Sequence, residues 1–487
     1  MLMKKNHFFT YSKMCVLALT GASALFLASC AGDGFSDESF QSGNGVTNTK
    51  LTTPTIEEIT IEVSTDGSKQ TISWPVVNGA GGYKAVLVNT TTNEVLVDSI
   101  IDNLSFATSR EEDTNYKLTL QVLGNTKLGN TDGDVVDKTF SSFTASYAQI
   151  PAGVDLYQYF QSNPIPDDQT DELNYDLAAG GKYTLSGQLG FNYHKVCLRS
   201  TDKGNPATIE IGDNASFVAS NNFSLKYLNI DVKASVENAR PVIELYNYET
   251  APDGILEKPK NYYIIPAVNI IGCKLTNVIG NIIYDNNKSY AISGLTFKNT
   301  LIQLSTVKEK IKNEAIMAFQ GGGVKDFTMT NCTVYSISEG AKPTYFLRYN
   351  NSIRVDRITG SNTDFTTFTW TNNTFYKLID NGDGKWYNGN GVENYSTYTA
   401  YNNIWVDCSK QIVRRMMGNG RLGNSSQIRL SRNTYWSGVE AADQATYDTS
   451  GTILTTDPAF ANPANGDFTP TGAEQLQYKT GDSRWYE

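Results

Sequence analysis

Beyond residue 150 the chain repeats itself, and the repeat limits what it can fold into. Seven segments share one register: Phe223-Ser-Leu-Lys-Tyr-Leu-Asn-Ile, Val268-Asn-Ile-Ile-Gly-Cys-Lys-Leu, Leu295-Thr-Phe-Lys-Asn-Thr-Leu-Ile, Phe327-Thr-Met-Thr-Asn-Cys-Thr-Val, Phe368-Thr-Trp-Thr-Asn-Asn-Thr-Phe, Tyr398-Thr-Ala-Tyr-Asn-Asn-Ile-Trp and Ile428-Arg-Leu-Ser-Arg-Asn-Thr-Tyr. In each, apolar residues alternate, one or two small polar residues turn the chain, and alternation resumes. One such copy cannot bury its own apolar face, so the copies must stack as coils of a solenoid. The sixth positions are Leu228, Cys273, Thr300, Cys332, Asn373, Asn403 and Asn433, separated by 45, 27, 32, 41, 30 and 30 residues. Such steps fit a right-handed parallel β-helix whose coils carry loops of different length.

Asparagine tolerates a left-handed backbone at a coil corner, and its amide can bond to the asparagine one coil above. Asn373, Asn403 and Asn433 are therefore expected to form an internal ladder. The same register puts Cys273 and Cys332 two coils apart. With strands about 4.8 Å apart that is roughly 9.6 Å, beyond disulfide reach. Cys197, Cys273, Cys332 and Cys408 all sit in apolar, strand-like contexts and are expected to be buried thiols.

A different pattern precedes the repeats. Ile59–Val63, Thr71–Trp74, Tyr83–Val88, Glu94–Val97, Leu104–Ala107, Tyr116–Val122 and Thr139–Phe143 are short alternating runs between turn clusters. Seven strands in about a hundred residues describe an immunoglobulin-like β-sandwich. Trp74 ends the second strand and Tyr116 begins the sixth, where fibronectin type III domains, which this segment resembles, keep a core tryptophan and a tyrosine corner. The fold class is thus all-β, a sandwich followed by a parallel β-helix.

The first thirty residues read as a processing signal. Lys4, Lys5 and Lys13 precede an apolar run from Met14 to Ala28, too short for a stop-transfer helix, and Leu27-Ala28-Ser29-Cys30 fits a lipobox. Diacylglycerol on Cys30 would anchor the mature chain, each buried CH₂ contributing roughly 0.8 kcal/mol. The Gly/Ser/Asp-rich stretch that follows has too few apolar residues to pack and reads as a tether. Its Asp33, Asp37 and Glu38 resemble the export signal of surface lipoproteins in Gram-negative gut anaerobes. Residues 1–29 are then the signal peptide, 30–50 the tether, 51–148 the sandwich, and 149–487 the β-helix with an N-terminal cap and a closing tail. The expected location is the outer membrane, lipid-anchored and facing outward.

Charge and histidine content exclude several functions. The chain carries 40 Lys+Arg against 50 Asp+Glu, so nucleic acid is not an expected partner. Only two histidines occur, and His7 leaves with the signal, so His194 alone cannot supply a paired-imidazole mechanism or a His-based zinc site.

At the C-terminal end, Asp457-Pro-Ala-Phe-Ala-Asn-Pro-Ala-Asn-Gly-Asp-Phe-Thr-Pro and Gly481-Asp-Ser-Arg-Trp485 resemble the tail that closes many pectate-lyase-like β-helices. Lipobox, fibronectin-like module and β-helix with this tail together resemble surface lipoproteins of polysaccharide-utilisation loci in gut anaerobes. The resemblance implies capture of polysaccharide at the cell surface. It implies as partners an outer-membrane glycan transporter, neighbouring glycan-degrading enzymes and, through the lipid, the membrane.

Candidate site residues come from loops expected on one edge. Arg414, Arg415 and Arg421 could pair bidentately with carboxylates of an acidic, pectin-like glycan. Lys385, Trp386 and Tyr387 lie in the preceding coil's loop and offer a flat ring for a sugar. No catalytic residue is assigned. A competing reading is a calcium-dependent polysaccharide lyase acting by β-elimination, with Arg415 or Arg421 as base and Ca²⁺ on Asp380 and Asp383, though this loop lacks the terminal glutamate of a calcium loop. Cofactors are otherwise not expected. A third reading is a structural or adhesive surface protein that binds no glycan.

Overall fold

The computed structural model describes residues 46–64, 67–245, 263–349, 366–380, 384–388, 396–409, 412–416, 427–437 and 447–486, which fall into two compact units. The lipobox, tether residues 30–45, Asp383 and Arg421 lie outside them. No helix among the described residues is long and apolar enough to cross a membrane.

The first unit is a sandwich of two antiparallel sheets. Thr60–Val63, Lys69–Ser73 and Ser105–Ser109 form one; Glu94–Ile101, Ala80–Asn89, Asn115–Gly124 and Val136–Ser141 form the other. Period-2 alternation along Asn115–Gly124 turns Tyr116, Leu118, Leu120 and Val122 into the core, facing Ile72 and Trp74. The Trp74 ring packs on Tyr83 and Phe106 at 5.4 and 6.0 Å. The Glu111 amide donates to the Tyr116 hydroxyl at 2.9 Å, fixing the chain as it enters its strand. The last strand starts three residues and ends two residues earlier than its apolar pattern suggested.

The second unit is a parallel β-helix. Its coils contribute strands to three parallel sheets of ten, nine and seven strands. The first runs from Ala148–Ile150 to Gln427–Ser431, the second from Lys182–Leu185 to Thr434–Trp436, and the third from Gln188–Gly190 to Lys385–Asn388. Phe223, Val268, Leu295, Phe327, Phe368, Tyr398 and Ile428, the first residues of the seven repeats, pair Cα to Cα in that order across the first sheet. Inward positions of all three sheets fill one continuous apolar core. Helix Leu156–Ser162, capped by the Asp155 carboxylate on the Gln158 amide, packs Leu156 and Phe160 at the N-terminal end of that core. His194 is buried, with Nδ1 3.0 Å from the Gln169 carbonyl, as a structural residue would be.

At the corner between the first and second sheets two jobs are divided between neighbours. The left-handed backbone falls on the fifth repeat position, at Tyr227, Gly272, Asn299, Asn331, Asn372, Asn402 and Arg432. The sixth position instead turns its side chain inward. Asn373 Nδ2 donates to Asn403 Oδ1 at 2.9 Å and to the Met329 carbonyl at 2.8 Å; Asn403 Nδ2 donates to Asn433 Oδ1 at 3.0 Å and to the Trp370 carbonyl at 2.8 Å. The expectation that one asparagine would do both is corrected: an amide committed to neighbours above and across leaves the turn to the residue before it. The four cysteines are free and buried, and burial pushes each thiol pKa up to about 12.

The C-terminal tail straps the outer face of the second sheet. Phe468 packs on Tyr335 and Tyr376 at 4.9 and 5.4 Å. The buried Asp482 carboxylate accepts from Thr333 Oγ1 at 2.8 Å and Arg484 Nε at 2.7 Å, and Trp485 Nε1 donates to Thr333 Oγ1 at 2.8 Å. Gly481 makes the close approach possible: its φ is +89°, and a Cβ there would meet Thr374 Oγ1 at 2.7 Å.

Candidate functional site

The corner leading from the second sheet to the third carries charge where the ladder corner carries asparagine. Strand Thr374–Tyr376 is followed by Lys377, and strand Ile404–Val406, one coil on, by Asp407. The Lys377 amide donates to the Val406 carbonyl at 2.9 Å, and the Asp407 amide to the Trp436 carbonyl at 2.8 Å, so the two residues occupy equivalent places in stacked coils. Both are left-handed, at φ +53° and +49°. A side chain with a Cβ costs roughly 1–3 kcal/mol there, and such strain gathers at functional sites.

These two residues, the loop 336–342 of the preceding coil, and Pro463 and Ala464 of the tail line a cleft of about 640 Å³. Lys342, Glu339, Asp380 and Tyr376 also line it. The half-buried Lys342 ammonium makes no hydrogen bond and no ion pair among the described residues. Burial lowers its pKa below the usual lysine value, and nearby Lys377 adds to that, while Asp407 and Glu339 act against it. Lys377 lays its ammonium on the Tyr376 ring, 5.1 Å from the centroid; the hydrogen bond with Tyr376 raises its pKa. The Asp407 carboxyl also lacks a hydrogen bond or ion pair among the described residues, and burial raises its pKa against the pull of Lys377 and Lys342. Three charged side chains therefore share one cleft without pairing one another.

Glu244, on the third sheet, shows what a settled charge looks like in the same coils. Its buried carboxylate accepts from Arg240 Nε and Nη2 at 2.7 and 2.9 Å, from Ser216 Oγ at 2.9 Å and from Asn286 Nδ2 at 3.0 Å. That group is structural.

The residues singled out from sequence are distributed differently. Trp386 and Tyr387 are 0% and 1% exposed, so no sugar can stack on them, which corrects that expectation. Trp386 lies flat on Phe346, centroids 4.1 Å apart, and Tyr387 packs on Phe368 at 5.0 Å. Lys385, between them and the corner, points outward with its ammonium 5.5 Å from the Tyr345 ring. Helix Ile412–Met416 takes the place of a third-sheet strand in the following coil and buries Ile412 and Val413. Its Arg414 guanidinium lies 5.7 Å from the Tyr447 ring, and Arg415 is half-buried. Asp380 lines the cleft, but among the described residues no group of three Asp, Glu, His or Cys side chains is placed to hold a metal. Asp383, the other expected calcium ligand, lies outside the described residues. Lys342, Lys377 and Asp407 were missed by sequence reading. Their signal lay in the register: Lys377 and Asp407 each follow a ladder asparagine by four residues, at a corner that calls for Asn or Gly.

Three family models match in succession, each described as a domain of unknown function: DUF4992 over residues 3–180, DUF4957 over residues 181–337 and DUF5123 over residues 327–485. No curated protein matches the sequence. Among solved structures, a family 28 exopolygalacturonase of Yersinia enterocolitica aligns at 10% identity over 86% of this chain and 89% of its own, with a TM-score of 0.23. A pectate lyase of Erwinia chrysanthemi, solved with tetragalacturonic acid, aligns at 10% identity over 71% of this chain and 84% of its own, with a TM-score of 0.16. At these scores no residue role or substrate transfers, and the fold rests on this chain's own parallel sheets.

Proposed function

We propose that this protein is a surface-anchored glycan-binding lipoprotein that captures an acidic, pectin-like polysaccharide for a polysaccharide-utilisation system. The observation that carries the reading is the cleft in which, among the described residues, Lys342 and Asp407 have no hydrogen bond or ion pair and Lys377 is held only by Tyr376. Dehydrating an ammonium without pairing it is unfavourable, and a ligand anion offsets that cost. Carboxylates such as Asp407 and Glu339 in turn accept hydrogen bonds from hydroxyls. A uronic acid unit offers both, a carboxylate for the lysines and hydroxyls for the acids.

Anchorage follows from the lipobox ending at Cys30 and the tether after it, with the acidic residues Asp33, Asp37 and Glu38 directing export to the outer face. The sandwich, with Trp74 and the Tyr116 corner in the manner of a fibronectin type III domain, serves as a spacer. Captured polymer passes to an outer-membrane transporter and neighbouring degrading enzymes.

The test is retardation of the protein in native gels containing homogalacturonan, rhamnogalacturonan, xylan or no polysaccharide. Homogalacturonan is expected to retard the wild type, and the double variant K342A/K377A to run as if no polysaccharide were present. Equal retardation of wild type and variant would remove the cleft from the reading. One observation favours a second reading: a lysine whose pKa is lowered by burial can act as a base. Lys342 would take the proton beside the uronate carboxylate while the glycosidic oxygen leaves with the bonding electrons, creating a double bond. A lyase of this kind generates a product absorbing in the ultraviolet, and constant absorbance over a day would sink it.

A further inference from the structure

The two strands that leave the cleft corner carry cations onto the neighbouring sheet face. The loop bearing Lys342 runs into third-sheet strand Tyr345–Tyr349, and the segment bearing Asp380 runs towards strand Lys385–Asn388. The Asp380 amide donates to the Pro343 carbonyl at 3.1 Å and the Lys385 amide to the Thr344 carbonyl at 2.7 Å, so the two segments are bonded at Asp380 and again at Lys385. Just past it, Tyr345 and Lys385 are Cα partners in adjacent coils. The Arg348 guanidinium lies 4.7 Å and the Lys385 ammonium 5.5 Å from the centroid of the same Tyr345 ring. The strand of the preceding coil places buried Ala315 and Ala318 beside that ring, so the Tyr345 ring packs on small residues below and carries the two cations above.

These cations are only partly satisfied. Arg348 Nη1 donates to the Asn313 carbonyl at 2.7 Å and lies 3.6 Å from Glu314, whose own side chain is 58% exposed. Its Nε, buried, finds no hydrogen-bond partner among the described residues. Lys385 makes no ion pair among them. From Tyr345 to Arg348 the strand advances roughly 10 Å, and Lys342 lies three residues before it, across the corner, so the two sets of cations are set apart along the surface.

We propose that the bound polymer continues from the cleft around the corner, and that Lys385 and Arg348 form a second subsite for an anionic sugar unit on the outer face of the third sheet. This rests on the reading of the cleft as the glycan site. The ligand chemistry is a carboxylate or sulfate on a sugar chain, and the subsite makes affinity depend on chain length.

The test is calorimetric titration of the full-length protein, purified in detergent, with galacturonate oligomers from dimer to hexamer, a methyl-esterified hexamer and a sulfated hexamer. K385A is the first variant. R348Q is the second, since Arg348 also holds Asn313, and circular dichroism checks that both fold. The expected result is that each lowers the ratio of hexamer to dimer affinity roughly tenfold, as loss of one charge-assisted contact does, and that the esterified hexamer shows no difference between wild type and variants. A response to the carboxylated hexamer alone, or to the sulfated one alone, identifies the anion. If K342A/K377A weakens every oligomer while the ratio stays at the wild-type value in K385A and R348Q, the second subsite is overturned and the cleft stands. If K342A/K377A has no effect on any oligomer, both readings fall.

Discussion

Among single residues, buried ionisable groups carry most of the pH response. Asp285 is fully buried and accepts from the amides of Asn287, Gly321 and Gly322, yet burial outweighs those bonds and raises its pKa to about 6 from 3.8. Its folded pKa lies above its unfolded one, so its contribution to stability is full below 3.8 and is lost as pH rises through about 6. The melting temperature should therefore fall between pH 4 and pH 7, and D285N should flatten that slope. Asp407 is raised by burial as well. Acidification discharges it before an ordinary aspartate, the cleft becomes more cationic, and affinity for a polyanion should rise from neutral pH until the ligand's own carboxylates protonate. D407N should bind as well at neutral pH as the wild type does in acid; a titration showing the same pH profile for both would contradict this. The buried thiols should not react with a thiol reagent until the chain unfolds.

At the scale of elements, the asparagine ladder and the tail are where a single substitution reaches furthest. Asn403 Oδ1 accepts from the amide and side chain of Asn373, and its Nδ2 donates twice. N403A leaves several of these groups unsatisfied in a dry core and should cost about 2–4 kcal/mol, read from chemical denaturation. G481A combines a left-handed φ with a 2.7 Å approach to Thr374 and should cost about 1–3 kcal/mol while loosening the tail.

Elements were the legible scale. The repeat register came through because inward Phe368 and Trp370, and the ladder positions after them, recur at a fixed offset that stacking demands. The sandwich came through because strands such as Asn115–Gly124 alternate cleanly. The site did not, for a physical reason. Trp386 and Tyr387 are as apolar as any exposed platform would be, and only the coil's closure shows them turned into the core beside Phe346 and Phe368. Lys342 and Lys377 are ordinary surface residues in sequence; what sets Lys342 apart is partial burial without an ion pair among the described residues, and what sets Lys377 apart is its left-handed place beside it, both of which belong to the assembled corner.

For the whole molecule, the governing expectation is an anchored body that works on an extended ligand. C30S should move the protein from the membrane fraction to the soluble fraction and abolish incorporation of labelled fatty acid; persistence in the membrane fraction would place the anchor elsewhere. The three successive coils that contribute Asn373, Asn403 and Asn433 are each 30 residues apart, so the ladder has no internal reason to stop. A further coil would find the same bonds waiting. What ends the series is the tail: the Leu454 amide donates to the Asn433 carbonyl at 2.9 Å, and Leu454 bridges to Thr434 as a parallel neighbour would. Without that plug the last coil is a bare template of the kind on which strands add from other molecules. The tail that walls the cleft thus also occupies, on the second sheet, the place where a strand of another molecule would add.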